Sequence, residues 1–130
     1  MTITNCPFCD RIRMQQWDQV MSNMCAFEPL NPVTPGHVLV VPFAHVEATQ
    51  DFMPSFLSTL AGYAVTVARV RKIKEYNLIL NVGDAATQSV PHIHIHIVPR
   101  KKNDGLMLPW SGPKRKPRVG SATEVFSEEM

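Results

Sequence analysis

The sequence predicts an α+β domain, an antiparallel sheet with one long helix on one of its faces. Three observations predict it. Residues 37–41 and 92–98 are short apolar or alternating runs rich in β-branched residues, the pattern of strands. Residues 51–74 carry an apolar stripe at helical spacing. The order is strands, helix, strands, without the repeated crossover helices that a parallel doubly wound sheet requires.

The elements follow in chain order. Residues 5–10, Asn-Cys-Pro-Phe-Cys-Asp, read as a tight loop. Residues 17–27 mix apolar and polar side chains and read as a hairpin of two short strands. Pro29, Pro32, Pro35 and Gly36 mark a loop, because proline removes a ladder donor and glycine admits special dihedrals. The run His37-Val-Leu-Val-Val41, bounded by Gly36 and Pro42, is a buried strand. In the helix, Phe56, Leu60, Tyr63, Ala64, Val67 and Val70 recur at three- and four-residue steps. Asp51 is its expected N-cap, Pro54 lies in its first turn, and Arg69, Arg71, Lys72 and Lys74 suit its C-terminal dipole. Residues 76–82 read as a strand, 83–88 as a loop and 92–98 as a strand with strict alternation. The domain is expected to span residues 1–111, with 112–130 as a mobile basic and polar tail.

At 130 residues and 14.6 kDa the chain has the length of one domain. Hydrophobic residues make up 45 %, which excludes a disordered chain. The net charge of +2, from 13 Lys+Arg against 11 Asp+Glu, is too small to argue for nucleic-acid binding. Met1 to Arg13 contains no apolar signal region, and no apolar run reaches the roughly 18 residues of a membrane span. Three cysteines, an odd number, argue against a disulfide framework and for a reducing compartment. A cytoplasmic protein is therefore expected.

Three of the five histidines fall within residues 92–98, His-Ile-His-Ile-His-Ile-Val. Side chains in a strand repeat their facing every two residues, so His92, His94 and His96 share one face, roughly 7 Å apart, and the isoleucines share the other. Three imidazoles on one face repel when protonated, and stability alone is served better by Thr or Lys. Two functional readings remain open. The imidazoles hold a metal, or one is a nucleophile while another binds or protonates.

His-φ-His-φ-His-φ-φ, with φ apolar, resembles the signature of the histidine triad superfamily of nucleotidyl hydrolases and transferases, and residues 92–98 match it throughout. The approach Asn81-(six residues)-Gln88-Ser89-Val90-Pro91 is similar to the family too. So is Asn31-Pro-Val-Thr-Pro-Gly-His37-Val-Leu-Val-Val-Pro42, followed by His45-Val46. The resemblance covers roughly residues 5–110. It implies a five-stranded antiparallel sheet, paired in a homodimer into ten strands, and an enzyme acting at the α-phosphate of a purine nucleotide. The substrate would be a nucleoside phosphoramidate, a dinucleoside polyphosphate or an adenylated amino acid.

By the same resemblance His94 is the nucleophile and forms a nucleotidyl-histidine that water resolves. The His92 carbonyl orients the His94 ring, His96 contacts the scissile phosphate and His37 supports the triad from behind. Asn81 and Ser89 match phosphate-binding positions, and Gln88 lies beside them. The family's acidic ribose ligand falls on Pro29, so Glu28 or Asn31 is left as the ribose partner. Thr87 stands where a glycine is usual. The chemical step needs no metal. Two other readings are a nucleotide-binding adaptor module with little catalysis and a metal-dependent hydrolase that uses all three triad histidines.

Cys6-Pro-Phe-Cys9 is a cysteine pair of the spacing used for zinc or for redox chemistry. Two further ligands would close a tetrahedral structural zinc site. Some bacterial members of the family hold zinc with the N-terminal pair, the histidine after the His37 strand and the first triad histidine, which implies Cys6, Cys9, His45 and His92. The alternative is a pair of reduced thiols in a loop. Cys25 reads as a small buried hydrophobe. Arg100, Lys101 and Lys102 read equally as a polyphosphate contact or a solvated strand exit. Lys114, Arg115, Lys116 and Arg118 read as a solubilising run, and Trp110 as a cover for its own core or a partner's site.

Overall fold

The computed structural model describes residues 5–48, 50 and 53–110. Five strands form one antiparallel sheet: β1 (Gln19–Met21), β2 (Met24–Phe27), β3 (Val38–Pro42), β4 (Tyr76–Ile79) and β5 (Ile95–Pro99). Their spatial order is β1-β2-β3-β5-β4, with Cys25 opposite Val41, Leu39 opposite His96 and Leu78 opposite Ile97. Two helices complete the fold, α1 (Pro7–Arg13) and α2 (Met53–Val70), and Asp84–Ala86 forms a single 3-10 turn. No helix among the described residues is long and apolar enough to cross a membrane. The expected Asp51 cap and the expected tail, with its basic run, lie outside the described residues.

Strand alternation divides the interior in two. Met24, Ala26, Val38, Val40, Ile93, Ile95 and Ile97 point to the face covered by Leu60, Tyr63, Ala64, Val67 and Ala68 of α2. Cys25, Phe27, Leu39 and Val41 point the other way and pack with Cys6, Phe8, Cys9 and Ile12 at α1. The histidines share that second face, so the helix stabilises the sheet from one side while the chemistry-bearing side chains occupy the other.

The expected hairpin forms, with Met21 opposite Met24. Other boundaries differ from the sequence-based expectation. The expected loop at 5–10 is instead the beginning of α1. Cys6 caps it by accepting from the Cys9 backbone N–H at 3.4 Å, Pro7 occupies the first turn, and Phe8, Cys9 and Ile12 form the buried side. The α2 helix stops at Val70 rather than Lys74. Lys72 adopts a left-handed conformation (φ 61°) and the Ile73 N–H returns to the Ala68 carbonyl, a C-terminal cap that ends the helix despite the continuing basic residues. β4 is shorter than expected, since Leu80 leaves the ladder to pack on the core.

β5 starts at Ile95, not His92. The Ile93 N–H donates to the Val46 carbonyl, and the Pro42 carbonyl accepts from the His92 ring rather than from a backbone partner. The ladder with β3 thus begins at Val40–Ile95. The alternation of side chains nevertheless runs unbroken from 92 to 97, because Ile93 joins the α2-facing core.

Leu60 and Val70 share the predicted stripe but differ in exposure, 0 % against 64 %. Leu60→Ala is expected to lower unfolding free energy by about 2–5 kcal/mol, and Val70→Ala by no more than about 0.5 kcal/mol. Urea denaturation of the two variants beside the wild type checks both values.

Candidate active site and metal centre

The site is built on the stretch 92–96 and the loop that enters β3. Along it each histidine ring has at least one nitrogen engaged, and the partner decides which tautomer a neutral ring adopts. His92 Nε2 lies 2.9 Å from the Pro42 carbonyl oxygen, which can only accept, so Nε2 carries the proton and Nδ1 is left with a lone pair. His94 Nδ1 lies 2.8 Å from the His92 carbonyl oxygen, so Nδ1 carries the proton and Nε2 is the basic atom. The Val33 N–H donates to His37 Nδ1 at 3.1 Å, which places the His37 proton on Nε2. His37 Nε2–H donates in turn to His96 Nδ1 at 3.0 Å, and His96 is therefore protonated on Nε2. The result is a bare nitrogen on His94 beside an N–H donor on His96, with ring centroids 5.0 Å apart.

Burial favours the uncharged rings. His37 and His94 are pushed below the ordinary imidazole pKa by desolvation, and His92 and His96 are pushed down to about 4 by desolvation first and then by neighbouring histidines. Phe8 contributes to this environment by setting its edge against His94 at 4.9 Å and against His92 at 5.8 Å. Phe8 is a site residue that motif reading missed. Its position between Cys6 and Cys9 on a helix turn was the available signal.

A second cluster lies on the far side of His92. One ligand atom from each of Cys6, Cys9, His45 and His92 falls within 4.8 Å of the others. Cys6 Sγ to His92 Nδ1 is 3.5 Å, Cys9 Sγ to His92 Nδ1 is 3.6 Å and Cys9 Sγ to His45 Nδ1 is 3.4 Å. A zinc tetrahedron with ordinary bond lengths has sulfur–nitrogen edges of about 3.5 Å. His92 Nδ1 has one lone pair yet faces two sulfurs, which suits a shared cation better than two separate thiol hydrogen bonds. Burial pushes the Cys6 thiol up, so a thiolate there requires a positive partner. The donor set thus fits a metal ion and can hold one.

The other expected site residues are placed as follows. Gln88 is a loop brace: its Oε1 accepts from the Gly83 N–H at 2.9 Å and its Nε2 donates to the Val90 carbonyl at 3.1 Å. Thr87 sits in the left-handed region at φ 66°, where glycine is strain-free and a β-branched residue is not. Asn81 is half-buried, Ser89 is exposed, and neither side chain has a hydrogen-bond partner among the described residues. Asn31 is exposed and likewise unpartnered there. Arg100 is not free for a leaving group, because its guanidinium is held by both Asp104 carboxylate oxygens, Asn77 Oδ1 and the Leu106 carbonyl. Cys25 is buried, with its thiol pushed up to about 12 by desolvation, and Trp110 is exposed. His92, His94 and His96 do not converge on a common metal position, since their Nδ1 atoms face the cysteine sulfurs, a carbonyl and His37.

Residues 20–103 match the HIT domain family model. The chain belongs to the HIT domain family. It is 33 % identical over 86 residues to the adenosine 5'-monophosphoramidase of Saccharomyces cerevisiae, covering 65 % of this chain and 54 % of that protein. It is 41 % identical over 86 residues to the asymmetrical bis(5'-nucleosyl)-tetraphosphatase of Schizosaccharomyces pombe, covering 61 % of this chain and 46 % of that one. The chain thus spans about half the length of these two curated relatives. Among solved structures, a zinc-bound histidine triad family protein from Mycobacterium smegmatis superposes with a TM-score of 0.69 at 25 % identity, covering 95 % of this chain and 91 % of that one. The HIT fold expected from the triad motif, a five-stranded antiparallel α+β sheet, is the fold observed, with α1 added to the one helix foreseen.

The depressed imidazoles make stability depend on pH. In the unfolded chain each titrates near 6.5, whereas His96 folded titrates near 4. The unfolded state therefore binds more protons between these values, and stability present above pH 6.5 is lost as pH falls toward 4. Denaturation midpoints measured in chelator, which removes metal loss from the comparison, are expected to fall from pH 7 to pH 5. His96→Asn should flatten that slope. A wild-type midpoint unchanged across the interval would contradict the assignment.

Proposed function

We propose that this HIT protein is a nucleotide hydrolase or transferase that cleaves at the α-phosphate of a nucleoside phosphoramidate or a dinucleoside polyphosphate through a nucleotidyl-histidine on His94. One observation carries the reading: the 2.8 Å contact from His94 Nδ1 to the His92 carbonyl, which leaves Nε2 unprotonated and nucleophilic. The names of the two curated relatives, a phosphoramidase and a tetraphosphatase, support the two substrate classes.

In the first step the Nε2 lone pair attacks the α-phosphorus, and the bond from phosphorus to the leaving nitrogen or oxygen breaks. The His94 ring then carries phosphorus on Nε2 and a proton on Nδ1, and the positive charge it gains is met by the His92 carbonyl. His96 donates its Nε2–H to a phosphoryl oxygen, with His37 holding that tautomer from behind. A polyphosphate leaves as the anion; an amine leaves with a proton taken from water. In the second step water attacks the phosphorus, releases the nucleoside monophosphate, gives up a proton to solvent and restores His94. Asn81 and Ser89, with unpartnered polar side chains near the triad in sequence, are assigned to the phosphate oxygens. Asn31 remains the candidate ribose partner, and Gln88 shapes the loop beside them.

In this reading Cys6, Cys9, His45 and His92 hold a zinc ion, which ties α1 to the triad stretch. Four protein donors complete a tetrahedron, so the ion's role is structural. The protein acts as a cytoplasmic homodimer on purine nucleotides. Pairing along the outer edge of β4 would extend the sheet to ten strands and cover Leu78, which is exposed in the single chain.

The test is release of nucleoside monophosphate from adenosine phosphoramidate and diadenosine polyphosphates, followed by chromatography. Wild type is expected to turn over at least one of them, with His94→Ala slower by at least about 10³-fold, as for loss of a nucleophile. Tight nucleotide binding without turnover by wild type would favour an adaptor module. Equal rates in both proteins would overturn the assignment of His94.

A further inference from the structure

We infer that Glu47 is a positioning residue for the metal centre, fixing His45 as an Nδ1 ligand; this rests on the four-residue metal reading above. His45 presents Nδ1 to Cys9 Sγ at 3.4 Å while its Nε2 lies 3.0 Å from Glu47 Oε2. A carboxylate only accepts, so the neutral His45 ring is held with its proton on Nε2 and its lone pair toward the sulfur. In the opposite tautomer a proton would point at Cys9 and ligation would be blocked. His92 is keyed in the same sense by a different acceptor, the Pro42 carbonyl.

Three features separate Glu47 from an incidental surface acid. The His45 side chain is only 6 % exposed, whereas that of Glu47 is 45 % exposed, so the carboxylate reaches from the solvent edge to a ring that is itself held in the interior. The Glu47 backbone is braced on both sides: its N–H donates to Gln50 Oε1 at 2.7 Å, and the Gln50 N–H returns to the Glu47 carbonyl at 3.1 Å. The Gln50 carbonyl then accepts from the Met53 N–H, so the brace continues into the first turn of α2. Two thiolates and two neutral imidazoles just neutralise a divalent ion, and Glu47 contributes negative charge through His45 without being a ligand itself. A carboxylate behind a metal-bound histidine raises the ring's basicity and restricts its orientation.

The rival is that Glu47 stabilises a protonated His45 in competition with metal. The two make opposite predictions for metal affinity. Zinc affinity is measured by competition with a chromophoric chelator, and cobalt substitution reports the thiolate-bound ligand field in its visible spectrum. Wild type is compared with Glu47→Ala, Glu47→Gln and Gln50→Ala, and far-UV circular dichroism of each metal-free protein reports folding. Glu47→Ala is expected to weaken zinc binding by about 10–100-fold. Glu47→Gln, whose amide oxygen still accepts from Nε2–H, should retain part of the loss-free behaviour, and Gln50→Ala should fall between wild type and Glu47→Ala. The cobalt spectrum should shift in Glu47→Ala. Should Glu47→Ala fail to fold, the ranking of Glu47→Gln and Gln50→Ala below wild type carries the same test. Unchanged or tighter zinc binding in the folded variants would overturn the role of Glu47 and leave the four-ligand centre standing. A wild type that takes up neither zinc nor cobalt would overturn both.

Discussion

Residues 92–97 place three isoleucines on one side of the sheet and three histidines on the other, and each histidine commits one ring nitrogen to a different fixed partner. The alternation follows from extended backbone alone. The commitment is what turns three similar side chains into three dissimilar groups. Pro42 leaves His92 a lone pair on Nδ1, the His92 carbonyl leaves His94 basic at Nε2, and His37 makes His96 a donor at Nε2. Burial keeps all three uncharged, so these identities persist at neutral pH.

His92 joins the two halves of the site. Its ring belongs to the cluster with Cys6, Cys9 and His45, and its carbonyl holds the His94 ring. α1 joins them again from the other direction, since Cys6 and Cys9 face the cluster while Phe8, between them, packs its edge on both His92 and His94. A disturbance at the N-terminal cysteines would therefore reach His94 through two short routes, one through a backbone carbonyl and one through an aromatic contact.

Much of this was legible in the chain. The triad alternation, the α2 stripe and the hairpin are periodic, and periodicity survives into the fold because burial on one face enforces it. The α1 helix was not legible, because Pro-Phe-Cys following Asn-Cys has the composition of a turn. Only the cap made by Cys6 Sγ and the buried contacts of Phe8 and Ile12 make it a helix. The early end of α2 is not legible because a left-handed Lys72 performs a task usually given to glycine. The family resemblance implies the His92 carbonyl as the partner of the His94 ring, but the tautomers of His37, His92 and His96 are not legible in the chain. Those of His37 and His92 depend on the Val33 N–H and the Pro42 carbonyl, backbone groups that any residue could supply, and that of His96 follows from His37. The resemblance sets Gln88 beside Asn81 and Ser89, yet which atoms its amide holds depends on how Gly83 and Val90 approach it.

The central claim is the division of protonation among the triad rings, and nitrogen-15 NMR of the histidine side chains measures it directly. At pH 7, two-bond and three-bond couplings should show His94 protonated on Nδ1 with a bare Nε2, and His37, His92 and His96 protonated on Nε2. A His94 protonated on Nε2, or on both nitrogens, would contradict the account, because the atom assigned to attack phosphorus would carry a proton.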